Sequence, residues 1–392
     1  MSDRKKIVLL GATGSIGNSA LKVIRQHSDK LELVGIAANT DSEGLATIAD
    51  EFAAREICLF DAEAYSQAKA SGRFSRCANL TSGLEGLNRL ASLETCDTVL
   101  VAVVGTQGLL PSLTAIEAGK TLAIASKEIL VLAGKFIMEA ARRRNVRILP
   151  VDSEHNALFQ CLQGVPRDQV AQIILTASGG SFRDTPVDQL DSATLAQALQ
   201  HPNWDMGPKV TIDSATMANK GLEMIEASWL FGMAPEQIDV VIHTQSIVHS
   251  LVECIDGSVI GQLSPPDMTF AIQHTLLFPE RAEPVSARLD FKREFQLDFR
   301  PPDLDRYPCL KLARECMQAG GIAPGIFNAA NEIAVDAFIQ DRIKFVEIPK
   351  IVEKTLEFIE NKEPNSIEEV LKYDKEARSV AYRFVSTARK AQ

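Results

Sequence analysis

Two acidic residues stand at a position where a metal ion could bind. Asp152 and Glu154 lie two residues apart, after a predicted strand that ends near Leu149. Residues i and i+2 at a strand end project to one side, so both carboxylates can face one cavity at the carboxyl edge of an α/β sheet. Hard oxygen ligands of this kind suit Mg2+ or Mn2+. The pair could equally well only cap the helix that begins near His155, a residue expected to pack or to lie behind the ligands.

A second polar group follows in residues 213–223, where the pattern predicts a helix whose N-terminus is near Ser214. Asn219 and Lys220 precede Glu223 by four and three residues, which places all three on one helix face. A solvated helix face is the ordinary explanation of such a triplet. However, a serine at a helix N-terminus and a nearby lysine would make an anion site beside a carboxylate. A phosphorylated substrate that chelates a metal would need that combination.

Two loops could complete such a site. Residues 178–181, Ser-Gly-Gly-Ser, offer hydroxyls and unhindered backbone N–H groups to a phosphate, although an ordinary glycine turn would have the same composition. Residues 201–208 place Trp204 in a loop bounded by proline and glycine. The tryptophan could simply pack against the protein, but hinges on both sides of an aromatic residue are also typical of a loop that closes over an active site.

The N-terminal glycines indicate a dinucleotide site. Gly11, Gly14 and Gly17 follow the first predicted strand and lead into a helix predicted over residues 18–27, where a tight turn can approach a pyrophosphate. A purely structural glycine turn is the alternative. The second strand ends at Ala38 and Asn39 without the carboxylate that usually binds the ribose of NAD, which favours NADP. This segment also has no Arg or Lys to hold a 2′-phosphate.

The elements that must position these residues follow from the hydrophobic pattern. Short apolar runs alternate with helical segments up to about residue 150, which is typical of a parallel sheet covered on both faces. Beyond it, strands near 172–177, 239–244, 250–255 and 258–263, with a hairpin at Asp256-Gly257, predict a mixed sheet. The predicted fold is α/β, with a Rossmann-like doubly wound domain (1–150), a mixed α+β catalytic domain (151–278), a linker (279–305) and a C-terminal helical bundle (306–392).

The composition excludes several classes of function. The 392 residues include 41 Lys and Arg against 51 Asp and Glu, a net charge of −10, so binding to nucleic acid or to an anionic membrane surface is not expected. Seven cysteines without a CxxC pair predict neither a disulfide framework nor a thiolate zinc site. The first apolar run stops at Gly11 after four residues, and no stretch reaches the length of a membrane span. A cytoplasmic protein is expected.

Motifs along nearly the whole chain resemble one family. They are GATGSIG (11–17), SKE (126–128), PVDSEHNALFQ (150–160), TASGG (176–180), HPNWDMG (201–207), SATMANKGLEMIEA (214–227), QSIVHS (245–250) and NAANEIAV (328–335). The chain is similar in these motifs to the 1-deoxy-D-xylulose 5-phosphate reductoisomerases of the non-mevalonate isoprenoid pathway. The resemblance implies an NADPH-binding domain, a central catalytic domain, a C-terminal helical bundle and a homodimer. It also implies a divalent metal ion and a small phosphorylated sugar as substrate.

The same resemblance implies roles for individual residues. The metal ligands would be Asp152, Glu154 and Glu223. The phosphate end of the substrate would meet Ser178, Ser214, Asn219 and Lys220, and the closing loop would contribute His201 and Trp204. Residues facing the reacting carbons would be Lys127, Ser153 and Glu154. The expected catalytic residues are Lys127, Glu154, Lys220 and Glu223. The NADPH contacts would be Thr13, Gly14, Ser15, Ile16, Asn39, Ser126, Glu128 and Gly207.

Two positions depart from the family pattern. Ala38 stands where a basic residue commonly precedes the asparagine that contacts the 2′-phosphate, and Ser126 replaces the asparagine of Asn-Lys-Glu. The first change bears on NADPH preference and the second on cofactor handling. Two other functions stay open from the residues alone. A homoserine or semialdehyde dehydrogenase would need no metal triad, so chelator sensitivity would separate it; a non-catalytic dinucleotide sensor would not need Asp152, Glu154 and Glu223.

Overall fold

A parallel sheet of seven strands organises the N-terminal part of the computed structural model, which describes residues 4–75, 79–204 and 206–388. The strand order is β4-β3-β2-β1-β5-β6-β7, and every neighbouring pair is parallel. The order reverses between β1 and β5, the position where sheets of this type bind ligands. The strands are β1 (Lys5–Leu10), β2 (Leu31–Ala38), β3 (Glu56–Leu59), β4 (Asn79–Ser82), β5 (Thr98–Val101), β6 (Thr121–Ile124) and β7 (Ile148–Pro150).

The predicted doubly wound domain is confirmed in its architecture. The central strands are runs of apolar residues that are buried throughout, such as residues 7–10 and 98–101, because helices connect successive strands and cover the sheet. The helix after the glycine turn begins three residues before its predicted start. The helices of this part are α1 (Ser15–Gln26), α2 (Ser42–Phe52), α3 (Ala62–Ala70), α4 (Gly83–Ala91), α5 (Leu109–Glu117), α6 (Glu128–Arg144) and α7 (Ser153–Leu162).

A smaller mixed sheet follows, as predicted. Its order is β11-β10-β8-β9, with β8 parallel to β9 and antiparallel to β10. The hairpin between β10 and β11 turns at Asp256-Gly257, where Gly257 adopts a φ of +83° and Cys254 N–H donates to the Ser258 carbonyl at 2.8 Å. Its strands are β8 (Val170–Ala177), β9 (Ile238–Ile242), β10 (Val248–Cys254) and β11 (Val259–Leu263).

Helices dominate the rest of the chain. Four helices after residue 306 form the predicted C-terminal bundle, and the last of them begins at the predicted capping position, where Glu369 N–H donates to Ser366 Oγ at 3.3 Å. Residues 279–305 contain no helix or strand beyond one bridge between Arg300 and Ile242. The remaining helices are α8 (Leu195–Ala198), α9 (Pro208–Thr216), α10 (Ala218–Phe231), α11 (Met268–Leu277), α12 (Pro308–Ala319), α13 (Ala323–Ile339), α14 (Glu347–Phe358) and α15 (Ile367–Ala388).

Tertiary contacts divide the chain into two units. The first unit contains residues 1–129, 137–156 and 267–288, and the second contains 130–136, 157–266 and 289–392. Helix α11 therefore belongs with the seven-stranded sheet, where it packs on α1. These limits differ from the predicted domain boundaries at 150, 278 and 305, and the functional division into three domains stays a prediction.

Two further expectations can be compared with the described residues. The six cysteines within them are all free thiols, while Cys77 lies outside the described ranges. Burial raises the pKa of Cys58, Cys96 and Cys161 to about 11, so these thiols stay protonated at neutral pH. None of the helices in the described ranges combines the length and apolar character needed to cross a membrane.

Candidate active site

The glycine turn of the first unit connects β1 to α1 at the switch point of the sheet. Gly11 has a φ of +96°, and a side chain there would collide with the Ala102 carbonyl at 2.4 Å. A Cβ on Gly17 would lie 2.3 Å from the Gly11 carbonyl oxygen, so the helix packs directly on the turn. The first N–H groups of a helix have no partner within the helix, and here they follow a turn exposed at Gly14 and Ser15. This geometry suits a pyrophosphate.

The other predicted cofactor residues of the first unit differ in exposure. Asn39 follows the end of β2 and is exposed, whereas Ala38 is 5 % exposed and belongs to the core. The Ser126 hydroxyl donates to the Val103 carbonyl, so the serine that replaces the usual asparagine does form a hydrogen bond. Glu128 is buried at the first position of α6. These residues all follow the carboxyl ends of strands or the loops next to them.

The acidic pair of the first unit lies where the sequence predicts it. Asp152 follows β7, and its Oδ1 accepts the Ser153 N–H at 2.9 Å while its carbonyl accepts the Asn156 N–H at 2.8 Å. Asp152 therefore caps α7, as expected from the alternative to a metal-binding role for this residue. Its Oδ2 also lies 2.5 Å from Lys127 Nζ, and Glu154 Oε2 accepts the Ser153 hydroxyl at 2.5 Å. The turn thus combines capping with two carboxylates beside a lysine and a hydroxyl.

Buried hydrogen bonds fix the start of this turn. The Asn156 side chain donates to the Pro150 carbonyl at 3.1 Å and to Thr275 Oγ1 at 3.0 Å, and Thr275 Oγ1 donates to the same carbonyl at 2.7 Å. Asn156 and Thr275 are each no more than 1 % exposed. Thr275 lies on α11, which is distant in sequence. A distant segment therefore holds the carbonyl of Pro150, two residues before Asp152, in place. Spacing alone gives no signal of this support.

The predicted helix N-terminus at Ser214 is wrong. Ser214 lies in the last turn of α9, where its hydroxyl donates to the Val210 carbonyl at 2.9 Å. The helix ends because Met217 adopts a left-handed conformation with a φ of +57°, and α10 begins at Ala218. The sequence shows one continuous helical pattern and gives no warning of this break. An anion site at Ser214 can therefore rest on its hydroxyl, but not on the N–H groups of a first helical turn.

The triplet on α10 has the predicted geometry. Asn219 Nδ2 donates to Glu223 Oε1 at 2.6 Å, and Lys220 Nζ forms an ion pair with Glu223 Oε2. The Lys220 and Glu223 side chains are only 4 % and 1 % exposed, which excludes the solvated helix face. A buried ion pair of this kind is a weak source of stability, since desolvation of both charges offsets most of their attraction. We infer a functional reason for its burial.

The His201 imidazole organises the predicted closing loop. Its Nδ1 accepts the backbone N–H groups of Asn203 and Trp204 at 3.2 and 2.9 Å, so the other ring nitrogen carries the proton of the neutral form. That nitrogen, Nε2, lies 2.9 Å from Ser178 Oγ. Burial, together with the nearby Arg183 charge, lowers the pKa of His201 to about 4. A neutral His201 thus joins two predicted substrate residues through the loop backbone.

The loop has further contacts that the sequence did not assign. Asn203 Nδ2 donates to the Thr244 carbonyl at 2.6 Å and to Ser246 Oγ at 2.8 Å, and the Trp204 ring meets the His249 ring edge-on at 6.2 Å. Ser246 and His249 stand in the QSIVHS motif, for which the sequence predicts no role. The sequence signal for these contacts is a polar motif at the start of a buried strand. Gly207 is exposed just before α9, and Asp205 lies outside the described residues.

These features define a class of protein. A glycine turn at the switch point of a parallel α/β sheet is the dinucleotide site of dehydrogenase-type folds, and the second unit contains the serines, lysine and carboxylate that were predicted to bind a polar substrate. The chain is accordingly an α/β oxidoreductase. Family models identify it more closely: one for 1-deoxy-D-xylulose 5-phosphate reductoisomerase matches residues 7–134, and models for C-terminal domains of the same enzyme match 148–231 and 263–380.

Relatives and solved structures agree with these models. The 1-deoxy-D-xylulose 5-phosphate reductoisomerase of Pelodictyon phaeoclathratiforme is 47 % identical over 382 residues, which cover 97 % of this chain and 100 % of that one. The enzyme of Geobacillus sp. is 48 % identical over 95 % of this chain and 98 % of its own. The Zymomonas mobilis reductoisomerase in complex with NADPH has a TM-score of 0.91 at 42 % identity, with 98 % and 99 % of the two chains covered.

A further solved structure is a DOX-P reductoisomerase in complex with NADPH, fosmidomycin and magnesium. It has a TM-score of 0.92 at 40 % identity and covers 97 % of this chain and 98 % of its own. Identity at this level over nearly the whole length decides the family. The chain belongs to the 1-deoxy-D-xylulose 5-phosphate reductoisomerase family, and the resemblance read from the motifs is confirmed.

Proposed function

We propose that this chain converts 1-deoxy-D-xylulose 5-phosphate into 2-C-methyl-D-erythritol 4-phosphate, with NADPH as reductant and Mg2+ or Mn2+ as metal, in the non-mevalonate route to isoprenoid precursors. The observation that carries the proposal is the buried triplet of Asn219, Lys220 and Glu223 in a chain of this family. Such a triplet offers an amide and an ammonium group to a phosphorylated ligand beside a carboxylate that can bind a cation.

The metal ligands of the proposal are Asp152, Glu154 and Glu223. Three carboxylates fit a hard divalent cation, and two of the three already have a lysine ammonium group beside them. Asp152 and Glu223 therefore each accommodate a neighbouring positive charge. When bound, the metal supplies Lewis acidity toward the oxygens of the substrate. Ser153 holds one Glu154 oxygen through its hydroxyl and so orients that carboxylate.

Lys127 and Lys220 have electrostatic roles in the proposal. The reaction rearranges a linear ketose phosphate by cleavage and re-formation of a carbon–carbon bond, and the resulting aldehyde accepts hydride from NADPH. Negative charge develops on oxygen in the first stage, and preorganised ammonium groups stabilise such charge at little reorganisation cost. Because both lysines are buried, their charges act with limited screening by water.

The phosphate end of the substrate would bind Ser178, Ser214, Asn219 and Lys220. Ser178 and its partner His201 tie this end to the loop at residues 201–207. Interactions with the remote phosphate can drive loop closure over the reacting carbons, because binding energy away from the chemistry can be used to organise it. Trp204, at the centre of the loop, would then exclude water from the intermediate.

The cofactor would contact the first unit along the glycine turn. The proposed residues are Thr13, Gly14, Ser15, Ile16, Asn39, Ser126, Glu128 and, from the second unit, Gly207. The exposed first turn of α1 would meet the pyrophosphate, and exposed Asn39 stands where the adenosine ribose or its phosphate is bound in folds of this type. Buried Ala38 adds no charge to that position.

A homodimer is also proposed, together with a cytoplasmic location. Strand β11 is an edge of the second sheet, and its Val259, Ile260 and Leu263 side chains are 53, 39 and 37 % exposed. Unpaired strand edges with apolar side chains are normally covered, here by a second copy of the chain. Free thiols at the six described cysteines agree with a reducing compartment.

The assay that tests the function mixes the purified chain with Mg2+ or Mn2+, NADPH and 1-deoxy-D-xylulose 5-phosphate and follows absorbance of the reduced nicotinamide. Oxidation of NADPH that requires both the substrate and the metal, and that stops on addition of a chelator, supports the proposal. Oxidation that persists in excess chelator would instead favour a metal-independent dehydrogenase. No substrate-dependent oxidation would contradict the proposed function.

A further inference from the structure

Helix α13 contributes a buried polar contact to α9 that none of the roles above explains. Asn331 on α13 is fully buried, and its Nδ2 donates to Oδ1 of Asp213 on α9 at 2.8 Å. Asp213 is equally buried, and its Oδ2 forms an ion pair with Lys209 Nζ at 2.9 Å. Asn331 belongs to the NAANEIAV motif at residues 328–335, which the sequence singled out without a function. The contact therefore links the C-terminal bundle to the helix that follows the closing loop.

Stability alone does not account for these residues. A buried carboxylate that is paired with a lysine is a weak source of stability, because desolvation of the charges offsets most of their attraction, and well-packed apolar side chains of similar volume often do as well. Asn331 also buries its Oδ1 without a hydrogen-bond donor among the described residues, which adds a further desolvation cost. Retention of a charged and an amide group between two helices is best explained when their relative position must be specific.

Helix α9 is a short segment whose placement matters for the proposed site. It begins after Gly207, the last residue of the closing-loop motif, and ends at the left-handed Met217. Ser214 follows Asp213 directly, so any movement of the Asp213 backbone moves the proposed phosphate ligand. From the other side Gly180 approaches closely, since a Cβ there would lie 2.5 Å from the Ala215 Cα. Asn331 therefore holds α9 at its centre, between the loop and Ser214.

We propose that Asn331 is a positioning residue for the substrate site: through its hydrogen bond to Asp213 it fixes α9, and thereby Ser214 and the closing loop, against the C-terminal bundle. The inference rests on the proposed function for the phosphate role of Ser214. It assigns to the bundle a part in substrate binding rather than packing alone. Neither the reacting carbons nor the cofactor touch Asn331 in this assignment.

The test compares Asn331→Leu with a matched control, Asn328→Leu. Asn328 is the same residue type on the same helix and is also fully buried, but its side chain donates to Glu332 within the bundle at 3.0 Å. Asn331→Leu is expected to raise the KM for 1-deoxy-D-xylulose 5-phosphate about tenfold, with kcat and the Kd of NADPH changed less than about twofold. Asn328→Leu is expected to lower stability without that increase in KM.

A spectroscopic measurement is independent of turnover. The chain has two tryptophans, so in a Trp229→Phe background the emission reports Trp204 in the closing loop. Asn331→Leu is expected to increase acrylamide quenching of Trp204, whereas Asn328→Leu leaves it unchanged. If the wild type lacks the proposed activity but the quenching difference appears, the positioning role holds and the proposed function fails.

Equal behaviour of the two leucine variants in both KM and quenching would overturn the proposal. If Asn331→Leu does not fold, the pair Asn331→Ala and Asn328→Ala makes the same comparison with smaller side chains. A larger KM and stronger quenching for the Asn331 variant alone would support the role. Unchanged KM and unchanged quenching in Asn331→Ala would contradict it.

Discussion

Each unit of the molecule contains a buried lysine–carboxylate pair among the predicted site residues, and the two pairs are built differently. In the second unit, Lys220 and Glu223 lie three residues apart on α10, with side chains 4 % and 1 % exposed. In the first unit, Lys127 follows β6 and Asp152 follows β7, and their side chains are 11 % and 16 % exposed. One pair depends on the periodicity of a helix, whereas the other depends on β6 and β7 being neighbours in the sheet.

The difference has an energetic consequence. The second pair is almost completely desolvated, so loss of its lysine removes the ammonium group that offsets the buried Glu223 charge. The first pair lies closer to solvent, and water can partly replace a missing partner. If Asp152 and Glu223 are both ligands of the proposed metal ion, loss of either carboxylate must nevertheless reduce catalysis to a similar extent. The following experiments separate these two expectations.

The largest effect is expected from loss of a metal-binding carboxylate in either unit. Asp152→Asn and Glu223→Gln should each lower kcat at least about 1000-fold, since each removes a ligand of a metal that stabilises developing charge. Steady-state assays at saturating Mg2+ measure this, with NADPH binding as the control that should persist. Substantial activity in one variant would remove the substituted residue from the proposed metal ligands.

The next effect distinguishes the two lysines. In the presence of a chelator, Lys220→Met should lower the free energy of unfolding by about 3 kcal/mol or more, because Glu223 then stays buried without the ammonium group that offsets its charge. Lys127→Met should cost less, since Asp152 is more exposed. Urea denaturation measures the free energy of unfolding of both variants. Added Mg2+ should reduce the difference between them, because it restores a positive charge. A larger loss for Lys127→Met would reverse the comparison.

A smaller effect is expected in the second unit from loss of Ser214, which is proposed to bind the phosphate end of the substrate. Ser214→Ala should raise the KM for the substrate about tenfold, the value of one hydrogen bond to a charged group, with little change in kcat. Ser228→Ala is the matched control, because Ser228 also donates to a carbonyl of its own helix turn, at 2.7 Å to Ile225. Equal KM values for the two variants would remove Ser214 from the phosphate site.

The smallest effect is a pH dependence of the closing loop. Burial lowers the pKa of His201 to about 4 from 6.5, so between these values the unfolded chain binds a proton that the folded chain does not. Stability should therefore fall by about 1 kcal/mol as the pH falls from 6.5 toward 4, after allowance for solvent access. Protonation of Nδ1 also removes the acceptor for Asn203 and Trp204, which should change Trp204 emission.

Two histidine variants test this pH dependence in a Trp229→Phe background. His201→Asn keeps an acceptor near Nδ1 but does not titrate, so the acid-induced change in Trp204 emission should disappear. His274 in the first unit has a pKa lowered to about 4 by burial, and His274→Asn should leave the emission change intact. An emission change that survives in His201→Asn would assign the transition to another group.

The same contrast explains which features the sequence could predict. Local patterns suffice for the glycine turn, the Asp256-Gly257 hairpin and the common face of Asn219, Lys220 and Glu223, because each depends on residues a few positions apart. Met217 adopts a left-handed conformation that places Ser214 at the end of a helix. This conformation depends on packing, and no local sequence pattern indicates it. The contacts of Asn156 with Thr275 and of Asn331 with Asp213 join distant segments, so their partners follow only from the tertiary structure.

The central proposal is that Asp152, Glu154 and Glu223 bind one divalent cation, and Mn2+ binding tests it without turnover. Titration calorimetry on the wild type should give one site per chain, and Asp152→Asn, Glu154→Gln and Glu223→Gln should each weaken Mn2+ binding by about 100-fold or more. Glu332→Gln, in the C-terminal bundle, should leave the affinity unchanged. Wild-type affinity for Mn2+ in Glu223→Gln, with loss only in Asp152→Asn and Glu154→Gln, would contradict the claim.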